Sequence, residues 1–424
     1  MKFIVQKSTL SGAVEIPASK SHTIRALIIA TLAEGKSTIR HALDSADTRA
    51  CVAACEKYGA RVELGDTWRV TGVGSRPNAP DNIVDVANSG TTMYFILGTA
   101  ALSAGYSVIT GDDQTRRRPA QNLIASLNHL GAEAFSTRGN GCAPIIVRGR
   151  LKGGAAKIAC PTSQYISSLL LCCPLAEGDS EIEVTELNEK PYVEMTLGWL
   201  TKQGMDYSHD SMARFHIPGG QAFEPFQERI CGDFSSATFF LVAAAVTGST
   251  LTLKGLDMND SQGDKNVVNM LQEMGIAIKM KPNELSVEGG ELRGRELDLN
   301  ATPDALPALA VAGCFAKGTT RLVNVPQARI KETDRIRAMR TELNALGGKV
   351  RELKDGLVIE GKPLNGGKAD GGSDHRIVMA LAVAGLASKK PIEIATAEAV
   401  SVTFPTFADL MRSCGAKIAE VTPA

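Results

Sequence analysis

A chain of 424 residues is long for one hydrophobic core and comfortable for two domains. With 44% hydrophobic, 22% charged and only 5% aromatic residues, it reads as a globular protein with aliphatic cores, and disorder is excluded. Lys plus Arg and Asp plus Glu balance at 46 each, so there is no global basic field for tracking nucleic acid, and any cationic patch must be local.

The first segment, MKFIVQK, breaks its apolar run after Val5, too early for a secretory leader, and no apolar stretch reaches the length of a membrane span. A cytoplasmic protein with no membrane association is expected. From residue 19 two kinds of segment alternate. The first kind is small and polar at its start and nearly all apolar afterwards: SKSHTIRALIIATLAEG, NSGTTMYFILGTAALSAG, TSQYISSLLLCCPLAEG, GDFSSATFFLVAAAVTG, TPDALPALAVAGCFAKG and SDHRIVMALAVAGLASKK. A helix that is apolar on every side must be buried. The second kind opens with a glycine followed two residues later by Ser or Thr, at Gly35, Gly105, Gly178, Gly248 and Gly318, with a sixth copy near Lys390 that lacks the glycine. The period is about seventy residues. In the copy at Gly248, Thr250, Thr252 and Lys254 alternate with Leu251 and Leu253 as in a half-buried strand. Val268, Met270, Leu271 and Met274 then follow at helical spacing and stop at Gly275. Each repeat therefore surrounds one buried helix with strands and an outer helix, and three repeats can share a core.

Chemistry is expected where the buried helices begin, because helix N-termini present free N–H groups and a positive dipole end. The residues there are Ser19, Lys20, Ser21 and Arg25; Asn88, Ser89, Gly90 and Thr91; Thr162, Ser163 and Gln164; Asp304; and Asp374, His375 and Arg376. Singly, Ser, Thr, Asp and Asn are ordinary N-caps; as an array they ask for anions. The stretch IKETDRIRAM, residues 330–339, carries five charges in ten positions and reads as a helix on which Lys331 and Arg335, four apart, share a face beside Glu332. The nine cysteines show no CxxC pair or Cys/His ligand spacing, so a structural metal is not expected, and Cys172-Cys173 read as buried thiols.

PASKSHTIRALIIA, NSGTT, RRRP, TSQY, KPY, GDFSSATFFL, QGDKN, PDALPALA, IKETDRIRAM, SDHRI and TFP, in this order along the whole chain, resemble the EPSP synthases of the enolpyruvyl transferase family. The resemblance implies an α/β fold of the α+β type: two similar domains, each of three βαβαββ units around buried parallel helices, an inverse α/β barrel-like arrangement joined by a two-strand hinge. The expected domains are 19–231 and 1–18 with 232–424. It implies shikimate 3-phosphate and phosphoenolpyruvate as substrates, glyphosate as inhibitor and no organic or metal cofactor; a monomer is expected. Carried over by position, Lys20, Asn88, Gly90, Arg118, Gln164, Arg335 and Arg376 would hold phosphoenolpyruvate. Ser21, Arg25, Thr162, Ser163, Gln164, Tyr192, Asp304, Gln327 and Lys331 would hold shikimate 3-phosphate. Asp304 would accept the proton of the attacking 5-hydroxyl, Glu332 would protonate the methylene carbon, and Lys20 and His375 would steady the departing phosphate. The acceptor's ligands fall in both halves of the chain, so its binding is expected to draw the halves together, a compaction that small-angle scattering would register.

The substrates bring about five to six negative charges, and Lys20, Arg25, Arg118, Lys331, Arg335 and Arg376 are six cations to meet them. Four positions depart from the family's usual pattern: Val402 for a lysine, Glu189 for a serine near the acceptor phosphate, Gln327 for an asparagine and Tyr94 for an arginine. The sister enzyme acting on UDP-N-acetylglucosamine carries a reactive cysteine in a loop that reads TGDDQTRRRPAQN here and has none; Cys142 lies beyond the next helix. An RNA-terminal phosphate cyclase would want a basic surface and a nucleophilic histidine, against which stand zero net charge and only six histidines.

Overall fold

A computed structural model describes residues 1–422. The chain divides into two compact units, Ala18–Ile230 and Met1–Pro17 with Cys231–Ala424. The first contains helices α1 (Lys20–Leu32), α2 (Ala46–Lys57), α3 (Gly90–Ala100), α4 (Gln121–His129), α5 (Gln164–Cys172) and α6 (Lys190–Lys202). The second contains α7 (Phe234–Thr247), α8 (Val267–Glu273), α9 (Leu306–Phe315), α10 (Arg335–Ala345), α11 (His375–Ala387) and α12 (Phe407–Ser413). The odd-numbered helices are the six apolar segments, and nearly every residue of each is buried. In the second unit α7, α9 and α11 pack on one another; in the first, α3 packs on both α1 and α5. Among the described residues no helix is long and apolar enough to cross a membrane.

The even-numbered helices bury one face only. Each ends two residues before a glycine, at Gly59, Gly131, Gly204, Gly275, Gly347 and Gly415, all with φ between +68° and +102°. This is the left-handed stop that glycine adopts without a Cβ penalty.

Among the described residues all six sheets have four strands and one topology: a parallel pair at one edge, then two antiparallel neighbours. In the sheet around Tyr106–Thr110, for example, Val84–Asp85 lies parallel on one side, and Ile145–Arg148 and then Glu133–Ser136 lie antiparallel on the other. Two exchanges of strands define the units. Ala13–Glu15, which precedes α1 in sequence, pairs with Thr250–Lys254 and so belongs with Cys231–Ala424, and Gln227–Arg229, which precedes α7, pairs with Glu34–Arg40 and so belongs with Ala18–Ile230. The sixth sheet takes its third strand from the start of the chain: Lys2–Gln6 lies antiparallel between Ile392–Ala395 and Lys417–Val421. Its alternation of buried Phe3 and Val5 with outward Lys2 and Gln6 fits a strand with one face on the core.

IKETDRIRAM is not one helix. A 3-10 turn spans Pro326–Ile330, Lys331 is extended (φ −84°, ψ −152°), and α10 starts only at Arg335. Asp334 accepts from Arg337 N and caps α10, which ends the helix in front of Lys331 and Glu332. Lys331 and Arg335 therefore share no helical face.

Candidate active site

In the unit Ala18–Ile230 the expected ligands gather at the starts of α1, α3 and α5. Ser19 caps α1 and puts Lys20 in its first turn, where Lys20 Nζ lies 2.9 Å from Asp47 Oδ2. Asp47 sits in the first turn of α2 and is itself buried; the sequence reading missed it, and the capping pattern SADT was its only signal. Arg25 is 1% exposed. Its guanidinium donates to Thr196 Oγ1 (2.8 Å), the carbonyls of Tyr192 (2.9 Å) and Ser21 (3.1 Å), and Ser167 Oγ (3.5 Å), and it lies over the ring of Phe95. These acceptors are neutral, and burial pushes the Arg25 guanidinium down to about 10.

Gln164 Nε2 donates to Thr91 Oγ1 at 2.8 Å, which ties the start of α5 to that of α3. Asn88 is engaged by the neighbouring loop, donating to Asp112 and Gln114. A Cβ on Gly90 would collide with Arg118 Nη1 and stand 2.8 Å from Arg118 Cζ, so the missing side chain leaves room for Arg118. Tyr94 and Tyr165, in edge-to-face contact, both donate their hydroxyls to the carbonyl of Pro119 and so fix the residue after Arg118. At the start of α5, Thr162 and Ser163 donate to Glu189.

In the other unit the expected residues form a buried charge cluster around Arg335, 1% exposed. Its Nη1 donates to Asp304 Oδ1 (2.7 Å), its Nη2 to Glu332 Oε2 (2.5 Å), and its Nε to Asp374 Oδ2 (2.8 Å). Arg376 Nη2 lies 2.9 Å from the second oxygen of Asp304. Asp374 is fully buried, caps α11 by accepting from Arg376 N, and also accepts from Thr333 Oγ1. It was legible as a helix start; its grip on Arg335, a residue of another segment, was not. Burial alone would push the Asp304 carboxyl up, but the charges of Arg376, Lys331 and Arg335 outweigh it and hold it below the usual carboxylate range. Lys331 thus acts on Asp304 from extended backbone. Burial likewise opposes the charge on Arg335, and Asp374, Glu332 and Asp304 together raise it above its ordinary value. His375 is buried with Nδ1 3.9 Å from Asp374 Oδ1. Gln327 is buried with Nε2 on the carbonyl of Asn300 (2.9 Å).

Several of the six cations named from sequence are already met by carboxylates of the protein itself. Lys20 is paired with Asp47, Arg376 with Asp304, and Arg335 with three carboxylates. The reason is the cost of burying charge: a cation out of water needs an anion or several hydrogen bonds. Two of the motifs carrying the resemblance are structural in the same way. Gln262 of QGDKN donates to the carbonyl of Gly232 and accepts from Phe234 N, and Asp264 accepts from Ser235, which together hold the start of α7.

Six repeats of one topology, with carboxylates, cations and hydroxyls collected where the buried helices begin, are the architecture of an enolpyruvyl transferase. The family described as EPSP synthase (3-phosphoshikimate 1-carboxyvinyltransferase) matches residues 4–411. The 3-phosphoshikimate 1-carboxyvinyltransferase of Ruminiclostridium cellulolyticum is 53% identical over 98% of both chains, and that of Methanothrix thermoacetophila is 45% identical over 98% of both. An EPSP synthase structure from Acinetobacter baumannii superposes with a TM-score of 0.83 at 27% identity, covering 99% of this chain and 100% of the other. The chain belongs to the EPSP synthase family.

Proposed function

We propose that the protein transfers the enolpyruvyl group of phosphoenolpyruvate to the 5-hydroxyl of shikimate 3-phosphate and releases phosphate. Membership of the family carries this reading. The chemistry is an addition followed by an elimination. The hydroxyl oxygen attacks C2 of the enolpyruvate while the methylene carbon gains a proton. The tetrahedral intermediate then loses phosphate and a proton to give the enol ether.

In this reading the substrates bind by exchange. The phosphoenolpyruvate anion takes Arg335 and Arg376 from Asp304 and Glu332, and a second anionic group takes Lys20 from Asp47. The two released groups become the working base and acid: Asp304, as carboxylate, accepts the hydroxyl proton, and Glu332, which takes up a proton once Arg335 leaves it, delivers that proton to the methylene carbon. Arg25, whose charge is opposed by burial among neutral acceptors, gains most from an incoming acceptor anion. Arg suits these positions because its planar fork holds two oxygens at once.

A coupled assay of phosphate release with phosphoenolpyruvate tests the reading: turnover with shikimate 3-phosphate and none with UDP-N-acetylglucosamine is the expected result. The sister reaction is disfavoured by Cys142, whose thiol is pushed up by burial and donates to the carbonyl of Arg117, so it is no ready nucleophile.

Glyphosate, a longer dianion than phosphoenolpyruvate, is the expected inhibitor. A methyl group on Gly90 must displace Arg118 as well as crowd the ligand. Gly90→Ala is therefore expected to raise KM for phosphoenolpyruvate, and to raise the inhibition constant of glyphosate by a larger factor because the longer ligand also loses the space. Inhibition curves at fixed shikimate 3-phosphate measure both; equal factors would mean that displacement of Arg118 is the whole effect.

A further inference from the structure

Glu189 is 2% exposed and stands immediately before α6 with φ +60° and ψ +42°, a left-handed backbone that a residue with a Cβ rarely adopts. One of its carboxylate oxygens, Oε2, accepts three hydrogen bonds: from Thr162 Oγ1 (3.0 Å), Ser163 N (3.0 Å) and Ser163 Oγ (2.8 Å). Ser163 is the residue in front of α5, yet its hydroxyl makes no cap within its own helix. Three donors converging on one anionic oxygen at the start of a buried helix are what a phosphate oxygen would ask for. A helix cap needs less: one hydroxyl on α5's own free N–H groups would do, without a left-handed residue from the following segment.

We propose that Glu189 is a built-in competitor for the acceptor's phosphate, its carboxylate occupying the Thr162–Ser163 cradle until substrate displaces it. The proposal rests on the reading that these two residues receive the phosphate of shikimate 3-phosphate. A phosphate and a carboxylate cannot share three donors, and their like charges repel, so binding and departure of Glu189 are linked. Rotation of Glu189 out of the left-handed region carries the carboxylate away and removes the backbone penalty, which gives departure a physical route. Apparent affinity is the intrinsic affinity multiplied by the fraction of molecules with the cradle open. A cradle open about a tenth of the time thus weakens acceptor binding about tenfold. The same device discriminates among ligands: a weakly anionic acceptor cannot outbid the carboxylate, whereas a phosphate dianion can.

The experiment is calorimetric titration of the full chain with shikimate 3-phosphate and, separately, with inorganic phosphate, for wild type, Glu189→Ser and Glu189→Gln, with thermal unfolding followed alongside. Glu189→Ser should bind shikimate 3-phosphate about tenfold tighter or more, and Glu189→Gln, which keeps an acceptor oxygen but not the charge, should gain less. If Glu189→Ser does not fold, the gain in Glu189→Gln carries the test. Unchanged or weaker binding in the folded variants overturns the proposal and makes Glu189 a cap or a direct ligand. Failure of the functional reading looks different: wild type would not turn over shikimate 3-phosphate, while tighter inorganic phosphate in the serine variant would still support a cradle closed by Glu189.

Discussion

Glu332→Gln and Asp304→Ala should each lower kcat by about a hundredfold or more, with much smaller changes in KM. Both substitutions remove a group proposed to move a proton and keep Lys20, Arg118 and Arg376, the cations proposed to hold the substrates. Each acid is bound to Arg335 in the structure, so the variants also test whether Arg335 is surrendered to substrate. If it is, loss of one acid removes one of the three carboxylates that compete for the arginine, and phosphoenolpyruvate should bind as well as before or better while turnover collapses. Steady-state rates with single-turnover controls measure the two effects separately. Near-normal turnover in either variant would end that residue's assigned role.

Arg335→Met should strongly destabilise the second unit. The guanidinium is the shared cation of Asp304, Glu332 and Asp374, and removing it leaves three carboxylates beside one another in a buried place. Breaking a buried pair by deleting one partner costs about 3–5 kcal/mol. Arg337→Met is the control, because that side chain is 71% exposed and only 4.0 Å from Asp334, a geometry worth about 0–1 kcal/mol. The pH dependence follows from Asp304, whose pKa is lowered in the folded chain. A lowered carboxylate contributes stability that is present above its unfolded pKa, about 4, and lost as pH falls through the folded value. The gap between wild type and Arg335→Met should therefore be widest near neutrality and narrow in acid. Denaturant unfolding over that range checks it; a difference below about 1 kcal/mol at neutral pH would mean that Arg376 and Lys331 already neutralise the cluster.

What sequence could reveal here followed its local character. The six buried helices are legible because each is a continuous apolar run with a polar start, and the outer helices because an amphipathic stretch ends at glycine. The residues at the helix starts are legible as a set for the same reason. Partnerships between segments distant in sequence are not written in any local pattern: Asp47 on Lys20, Asp374 on Arg335 and Glu189 on Ser163 each join elements that only the fold brings together. Lys331 to Asp334 misled for a different reason. Alternating charge satisfies the helical template, but the same Asp334 that contributes to the alternation is a better cap than an interior residue, and capping decided where α10 begins.

The position of Lys2–Gln6 between Ile392–Ala395 and Lys417–Val421 has a bearing on the order of assembly during synthesis. This strand is synthesised before Ala18–Ile230 and its two neighbours after it, so it waits while all of Ala18–Ile230 is translated and can fold. Ala13–Glu15, whose partner is Thr250–Lys254, waits almost as long. Until then the nascent chain carries an apolar, alternating strand with both hydrogen-bonding edges open, the kind of surface that seeks a neighbour's edge. Lys2, Gln6 and Lys7 flank its three apolar residues and give that waiting strand a polar border charged at Lys2 and Lys7, as gatekeepers do.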